Sequence, residues 1–263
     1  MLTQQQINHF ETFGFIVWRE AFSPDEIASI SQQFDDVLAE DRNGRGFAGD
    51  KRQGVLGFLE QREGLCGLVE DDRIYPSVEQ LLGPGFVWIG SDGNLYVGDT
   101  RWHPDNTEPY RRMKVAFYLD PVDRDSGCLR VIPGSHLPEL ATRLKERPPK
   151  EDPDESPYGI KGSQIPYFPL ESRPGDVVFF NQGLFHSSYG GKVGRRMFTL
   201  NFGAKPAAEA DYENLRRTYQ FNIKSINDMG YTKRDRIYTD EFLNSDSPRI
   251  QSMVGELVKL GFR

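Results

Sequence analysis

Trp102-His103-Pro104-Asp105 sets an imidazole and a carboxylate two residues apart. In extended chain such positions face the same side, so His103 and Asp105 can offer two metal-binding groups together. A second imidazole, His186, stands in NQGLFHSSYGG, after a Pro174-Gly175-Asp176 turn and the strand-like VVFF. Two histidines and one carboxylate on neighbouring strands leave three positions of an octahedral ion open. That suits iron(II), which must also bind a cosubstrate and O₂. Structural zinc would close its coordination sphere instead. The chain has only 4 histidines, and the other two read differently: His9 falls on a polar helix face, and His136, in PGSH, in a turn.

A carboxylate anchor follows in Gly194-Arg195-Arg196-Met197-Phe198-Thr199-Leu200-Asn201-Phe202. Alternation puts Arg196, Phe198, Leu200 and Phe202 on an apolar face that should meet covering helices. Arg195, Met197, Thr199 and Asn201 then face the pocket. A guanidinium fork gives two parallel hydrogen bonds and keeps its charge, which suits the far carboxylate of a dicarboxylic keto acid. Arg195 is the better candidate for that grip, with Arg196 as the alternative and Ser188, two residues past His186, as a further donor. Asn94, Tyr96, Trp102, Arg111 and Arg112 flank the metal strand and are candidates for the substrate wall.

These groups need elements to hold them. Thr3 with Gln6, and Ser23 with Glu26 behind Pro24, form capping boxes that open two amphipathic helices. Residues 41–72 lack a clean period and read as loop with a short helix near Leu56 to Leu68. From about residue 85 the chain changes to short strand-like runs (FVWIG, NLYVGD, MKVAFYL, CLRVI, DVVFF, MFTLNF) parted by Gly, Pro and Asp. That grammar predicts a mainly β fold with covering helices and a jelly-roll, cupin-like core. One domain over 1–263 is expected: N-terminal helices and loop (1–84), a β core (85–202) interrupted by a proline-rich, lid-like insertion (137–172), and a helical extension (203–263). The last helix carries Ile250, Met253, Val254, Leu257 and Leu260 as a stripe for the body or for another subunit, so the oligomeric state stays open.

Composition narrows the partners. A net charge of −7 disfavours nucleic acid. No run of about 18 apolar residues offers a membrane span, and the start lacks the build of a secretion signal. The 2 cysteines, Cys66 and Cys128, are too few for a disulfide framework. The expectation is a cytoplasmic protein acting on a small molecule.

The order of parts resembles the phytanoyl-CoA dioxygenase family of iron(II)- and 2-oxoglutarate-dependent oxygenases. The matching pieces are LTQQQINHFETFGFIVWREAFSPDEI, the WHPD pair, SGCLRVIPGSH, RPGDVVFFNQGLFHSS and RRMFTLNF. The resemblance implies a double-stranded β-helix with Fe(II) at His103, Asp105 and His186, and 2-oxoglutarate held by Arg195 and Ser188. It also implies the reaction: O₂ is divided between succinate, formed with loss of CO₂, and a hydroxyl group on the substrate. Halogenating relatives replace the carboxylate ligand with a small residue, so Asp105 favours hydroxylation. Two rivals stand beside this reading. One is a cupin-type metal enzyme that needs no 2-oxoglutarate and no arginine anchor; the other is a barrel that only binds a ligand.

Overall fold

The computed structural model describes residues 1–145 and 161–263. Both capping boxes form. Thr3 and Gln6 exchange bonds of 3.3 and 2.8 Å, opening α1 (Gln4–Phe13); Ser23 and Glu26 do the same at 3.3 and 2.8 Å, opening α2 (Pro24–Asp41). Each box satisfies backbone N–H groups that a helix start would otherwise leave without partners. α2 buries Ile27, Ile30, Phe34, Val37 and Leu38 at helical spacing.

Among the described residues ten strands make two antiparallel sheets: β1 (Phe15–Trp18), β2 (Gln53–Leu56), β3 (Val87–Tyr96), β4 (Thr100–His103), β5 (Arg112–Tyr118), β6 (Leu129–Val131), β7 (Phe168–Leu170), β8 (Val177–Asn181), β9 (His186–Ser188) and β10 (Arg195–Gly203). The larger sheet has the order β1-β8-β5-β10-β3-β2 and the smaller β4-β9-β6-β7. Together they form a double-stranded β-helix.

Side-chain alternation divides the interior in two. Met113, Val115, Phe117, Phe198, Leu200 and Phe202 join the helix-covered core with Phe34 and Leu38. Their neighbours Ala116, Tyr118 and Met197 face the other way, into the space between the sheets, with Leu129, Val131 and Phe180. Phe117 and Phe198 stack at 4.6 Å across the β5–β10 pair. Burying each such ring contributes on the order of 1.5–3 kcal/mol, so the apolar faces fix which residues must look into the roll.

The remaining helices are α3 (Glu63–Cys66), α4 (Tyr75–Leu82), α5 (Pro138–Lys145), α6 (Glu209–Ser225), α7 (Asp240–Leu243) and α8 (Pro248–Lys259). α8 buries Ile250, Met253, Val254 and Leu257 against β3, so its stripe is used within the chain. Two features differ from the sequence reading. The 41–72 stretch contains strand β2, which pairs with the edge of β3 and so joins the larger sheet. FVWIG and NLYVGD merge into β3, whose ladder with β10 shifts register near Gly90 and Trp88. Within the expected insertion, residues 146–160 lie outside the described residues. Among the described residues no helix is long and apolar enough to cross a membrane.

Candidate metal centre and active site

His103 ends β4 and His186 begins β9, and the two are direct partners in the antiparallel ladder. Their rings lie 4.4 Å apart. Each Nδ1 faces a backbone carbonyl, of Arg101 at 2.7 Å and of Leu184 at 2.9 Å. A carbonyl only accepts, so Nδ1 carries the proton and Nε2 keeps its lone pair for a metal.

Asp105 reaches the same spot by a different route from the one expected. Pro104 has no N–H to continue the ladder, so the strand stops at His103 and Asp105 lies in a bend beyond it. The backbone N–H groups of Asp105 and Asn106 both donate to the Gln182 carbonyl, at 2.8 and 2.9 Å, and this ties the bend to the end of β8. The Asp105 carboxylate thereby sits 3.7 Å from His103 Nε2 and 3.6 Å from His186 Nε2. All three ligand atoms fall within 4.8 Å of one another.

The protonation states suit a divalent ion. Burial pushes the His186 imidazolium down to about 4, more than the Asp105 charge can restore. Burial would raise the Asp105 carboxyl, but Lys114, at 2.9 Å, together with His186 and His103 holds it well below the usual range. Near neutral pH the cluster therefore presents one anion and a neutral His186, as metal ligation requires. Lys114 was not anticipated; its only signal is a lysine amid the apolar run of MKVAFYL.

Arg195 lies in the same cavity of about 220 Å³, with Tyr96, Tyr118 and Ser188. The side chain is almost wholly enclosed, at 2 % exposure. One terminal nitrogen donates to Ser188 Oγ at 3.0 Å, while Nε and the other terminal nitrogen have no partner. Ser188 gives its own proton to the Gly127 carbonyl at 2.9 Å, so it orients the guanidinium and has no proton left for a ligand. Gly127 and Gly191 make room: a Cβ there would fall 1.9 and 1.4 Å from the arginine. Neither glycine was singled out from sequence, though SGCLRV and YGGK contain them. Arg196 points away and pairs with Asp35 at 2.9 Å and Asp120 at 3.2 Å.

The other flanking residues separate. Tyr96 lies under Arg195, 5.2 Å from its guanidinium, and Arg112 lines an adjoining chamber. Trp102 packs with Leu144, Ile165 and Phe185. Asn94 accepts from Arg52 at 2.6 Å, and Arg111 pairs with Glu11 at 2.7 Å. His136 bonds the Glu11 carbonyl at 3.2 Å, away from the cluster.

A double-stranded β-helix that gathers two imidazoles and a carboxylate on its inner wall is the form of a mononuclear non-haem iron oxygenase. The chain belongs to the phytanoyl-CoA dioxygenase family, whose model matches residues 10–197; its members are iron(II)- and 2-oxoglutarate-dependent dioxygenases. Over 198 residues it is 23 % identical to a 2-aminoethylphosphonate dioxygenase from the uncultured bacterium HF130_AEPn_1, covering 70 % of this chain and 72 % of that one. Among solved structures it resembles HygX from Streptomyces hygroscopicus with nickel and 2-oxoglutarate bound, with a TM-score of 0.60 and 19 % identity over 78 % of this chain and 88 % of that one. EctD from S. alaskensis with bound Fe is similar, with a TM-score of 0.58 and 22 % identity over 77 % of each chain.

Proposed function

We propose that the protein hydroxylates an unactivated C–H bond of a small molecule, with iron(II) held by His103, Asp105 and His186 and 2-oxoglutarate anchored by Arg195. The observation that carries this reading is the pairing, in one cavity, of the three-ligand cluster with a buried guanidinium that has two nitrogens unpartnered. A buried donor without an acceptor is costly, and a dicarboxylate supplies the missing acceptor. The bound metal, with 2-oxoglutarate and O₂, supplies the oxidising chemistry, giving succinate, CO₂ and a hydroxylated product.

The chain's own side chains do the rest. The two Nδ1–H bonds aim the imidazoles, and Lys114 keeps Asp105 ionised as a ligand. Ser188 acts as a positioning residue, fixing the plane of the Arg195 fork, while Tyr118, Leu129, Phe180 and Met197 line the cavity wall beside it. The described flanks of the 137–172 insertion support its role as a cover. Gly162 accepts from Trp102, next to His103, at 2.7 Å, and Leu144 and Ile165 pack on the same indole. Two free cysteines agree with a reducing compartment, the cytoplasm.

The test is succinate release from 2-oxoglutarate across a panel of small metabolites with iron(II) present. Release should require both iron and 2-oxoglutarate and fall to background in His103→Ala. Product formed without 2-oxoglutarate would instead favour the cupin-type rival.

A further inference from the structure

A second chamber opens beyond the Asp105 carboxylate. Its volume is about 430 Å³, and it shares Leu56, Asp92, Asp105 and Lys114 with the cavity that contains the histidines. Arg112 and Lys114, two apart on β5, both face it. Asn201, opposite Lys114 on β10, and Gln182, just past β8, complete its inner wall.

Two of these groups each keep one buried polar atom without a partner. The Arg112 side chain is 9 % exposed. It donates to Thr218 Oγ1 at 2.8 Å and Asn214 Oδ1 at 3.3 Å, but its Nε is unpartnered. Among the described residues, no carboxylate comes within the 4.0 Å of an ion pair. Gln182 spends its amide hydrogens on the Met113 carbonyl at 3.2 Å and Asn201 Oδ1 at 3.1 Å. Its Oε1 is left buried and unpartnered. Of the chamber's carboxylates, Asp92 and Asp105, Asp105 is engaged by Lys114 at 2.9 Å; that leaves the Arg112 guanidinium without an ion-pair partner and Gln182 Oε1 without a donor, in surroundings where both deficits are costly. On the larger sheet's inner face Arg112 and Arg195 mark opposite ends, with the Lys114–Asp105 pair between them. One unpaired guanidinium serves each cavity.

We propose that this chamber receives the primary substrate, and that the substrate is a small organic acid whose oxyanion meets Arg112 while a hydroxyl or ammonium group donates to Gln182 Oε1. The assignment rests on the reading of Asp105 as a metal ligand, which places the chamber beside the reacting centre. Carboxylates and phosphonates share the recognising chemistry, since both accept from a guanidinium fork. Arg217, also among the lining residues, is 57 % exposed and already faces Glu108 at 3.6 Å and Glu213 at 4.0 Å, so Arg112 is the cation left for the substrate.

The experiment uses the whole chain saturated with nickel(II) and 2-oxoglutarate, so that Arg195 is already occupied. Calorimetric titration then compares 4-aminobutyrate, 3-aminopropylphosphonate, 4-aminobutyramide and butyrate. The two amino acids should bind about tenfold or more tightly than the amide and than butyrate, which lacks the donor. Whichever of them binds more tightly assigns the acid as carboxylate or phosphonate. Arg112→Gln should abolish the preference for acid over amide while still binding 2-oxoglutarate. Equal binding of acid and amide, no acid binding at millimolar concentration, or a preference that survives in Arg112→Gln overturns the proposal. The acid-against-amide comparison needs no variant, so a poorly folded mutant leaves the question decidable. Failure of the nickel protein to bind 2-oxoglutarate would count against the dioxygenase reading alone, because the acid preference is measured on a different arginine.

Discussion

Asp105 stays ionised inside the roll because Lys114 stands 2.9 Å away, and Arg195 keeps its place because Ser188 and two glycines shape the space around it. The residues proposed to touch a ligand were legible as types: histidine, aspartate and arginine at strand spacing. Their supports were not. A glycine that clears room for a guanidinium looks in the sequence like any turn glycine, and a lysine inside a strand looks like a solvated charge until the register turns it inward. The Arg195 fork gives a sharp prediction. Arg195→Lys keeps the charge but replaces the two-pronged contact with a point ammonium. The KM for 2-oxoglutarate should rise about tenfold or more while kcat at saturation changes less, as read by succinate release against 2-oxoglutarate concentration.

Elements were most legible where several local signals agreed. Both capping boxes were readable because cap and apolar stripe, joined at α2 by Pro24, pointed to one helix start. β2 was missed because QGVL has neither alternation nor bulk, and it becomes a strand only through the edge that β3 offers it. The expectation that one strand carries both His103 and Asp105 failed at Pro104, where the ladder stops and β8 takes over the positioning. The α2 start can be measured directly. Ser23→Ala removes the acceptor for the Glu26 N–H and should cost about 1 kcal/mol of unfolding free energy, with the denaturant slope unchanged. A loss near zero would mean that Arg73, 2.7 Å from Glu26, holds the turn by itself.

For the whole molecule, Glu60 joins segments far apart in sequence, accepting from Trp88 Nε1 at 3.3 Å and from the Thr239 N–H at 3.0 Å. Burial pushes its carboxyl from 4.5 up to about 7, against the pull of those bonds and of Arg234. Between these values the folded chain keeps a proton that the unfolded chain has lost. Stability from this group is therefore full below pH 4.5 and declines as the pH climbs to about 7. Denaturant titrations across that window should show the native protein losing more stability than Glu60→Gln, by at most about 1.4 kcal/mol per pH unit. Parallel curves would exclude the effect. A last consequence follows from the direct pairing of His103 with His186. β4 is an edge strand of four residues, too short to hold firmly by its own ladder, and an ion held by those imidazoles as proposed would rivet it to the rest of the small sheet. On that reading iron supply would govern durability as well as turnover: a chain starved of metal would have a loosened hem at the mouth of its own barrel.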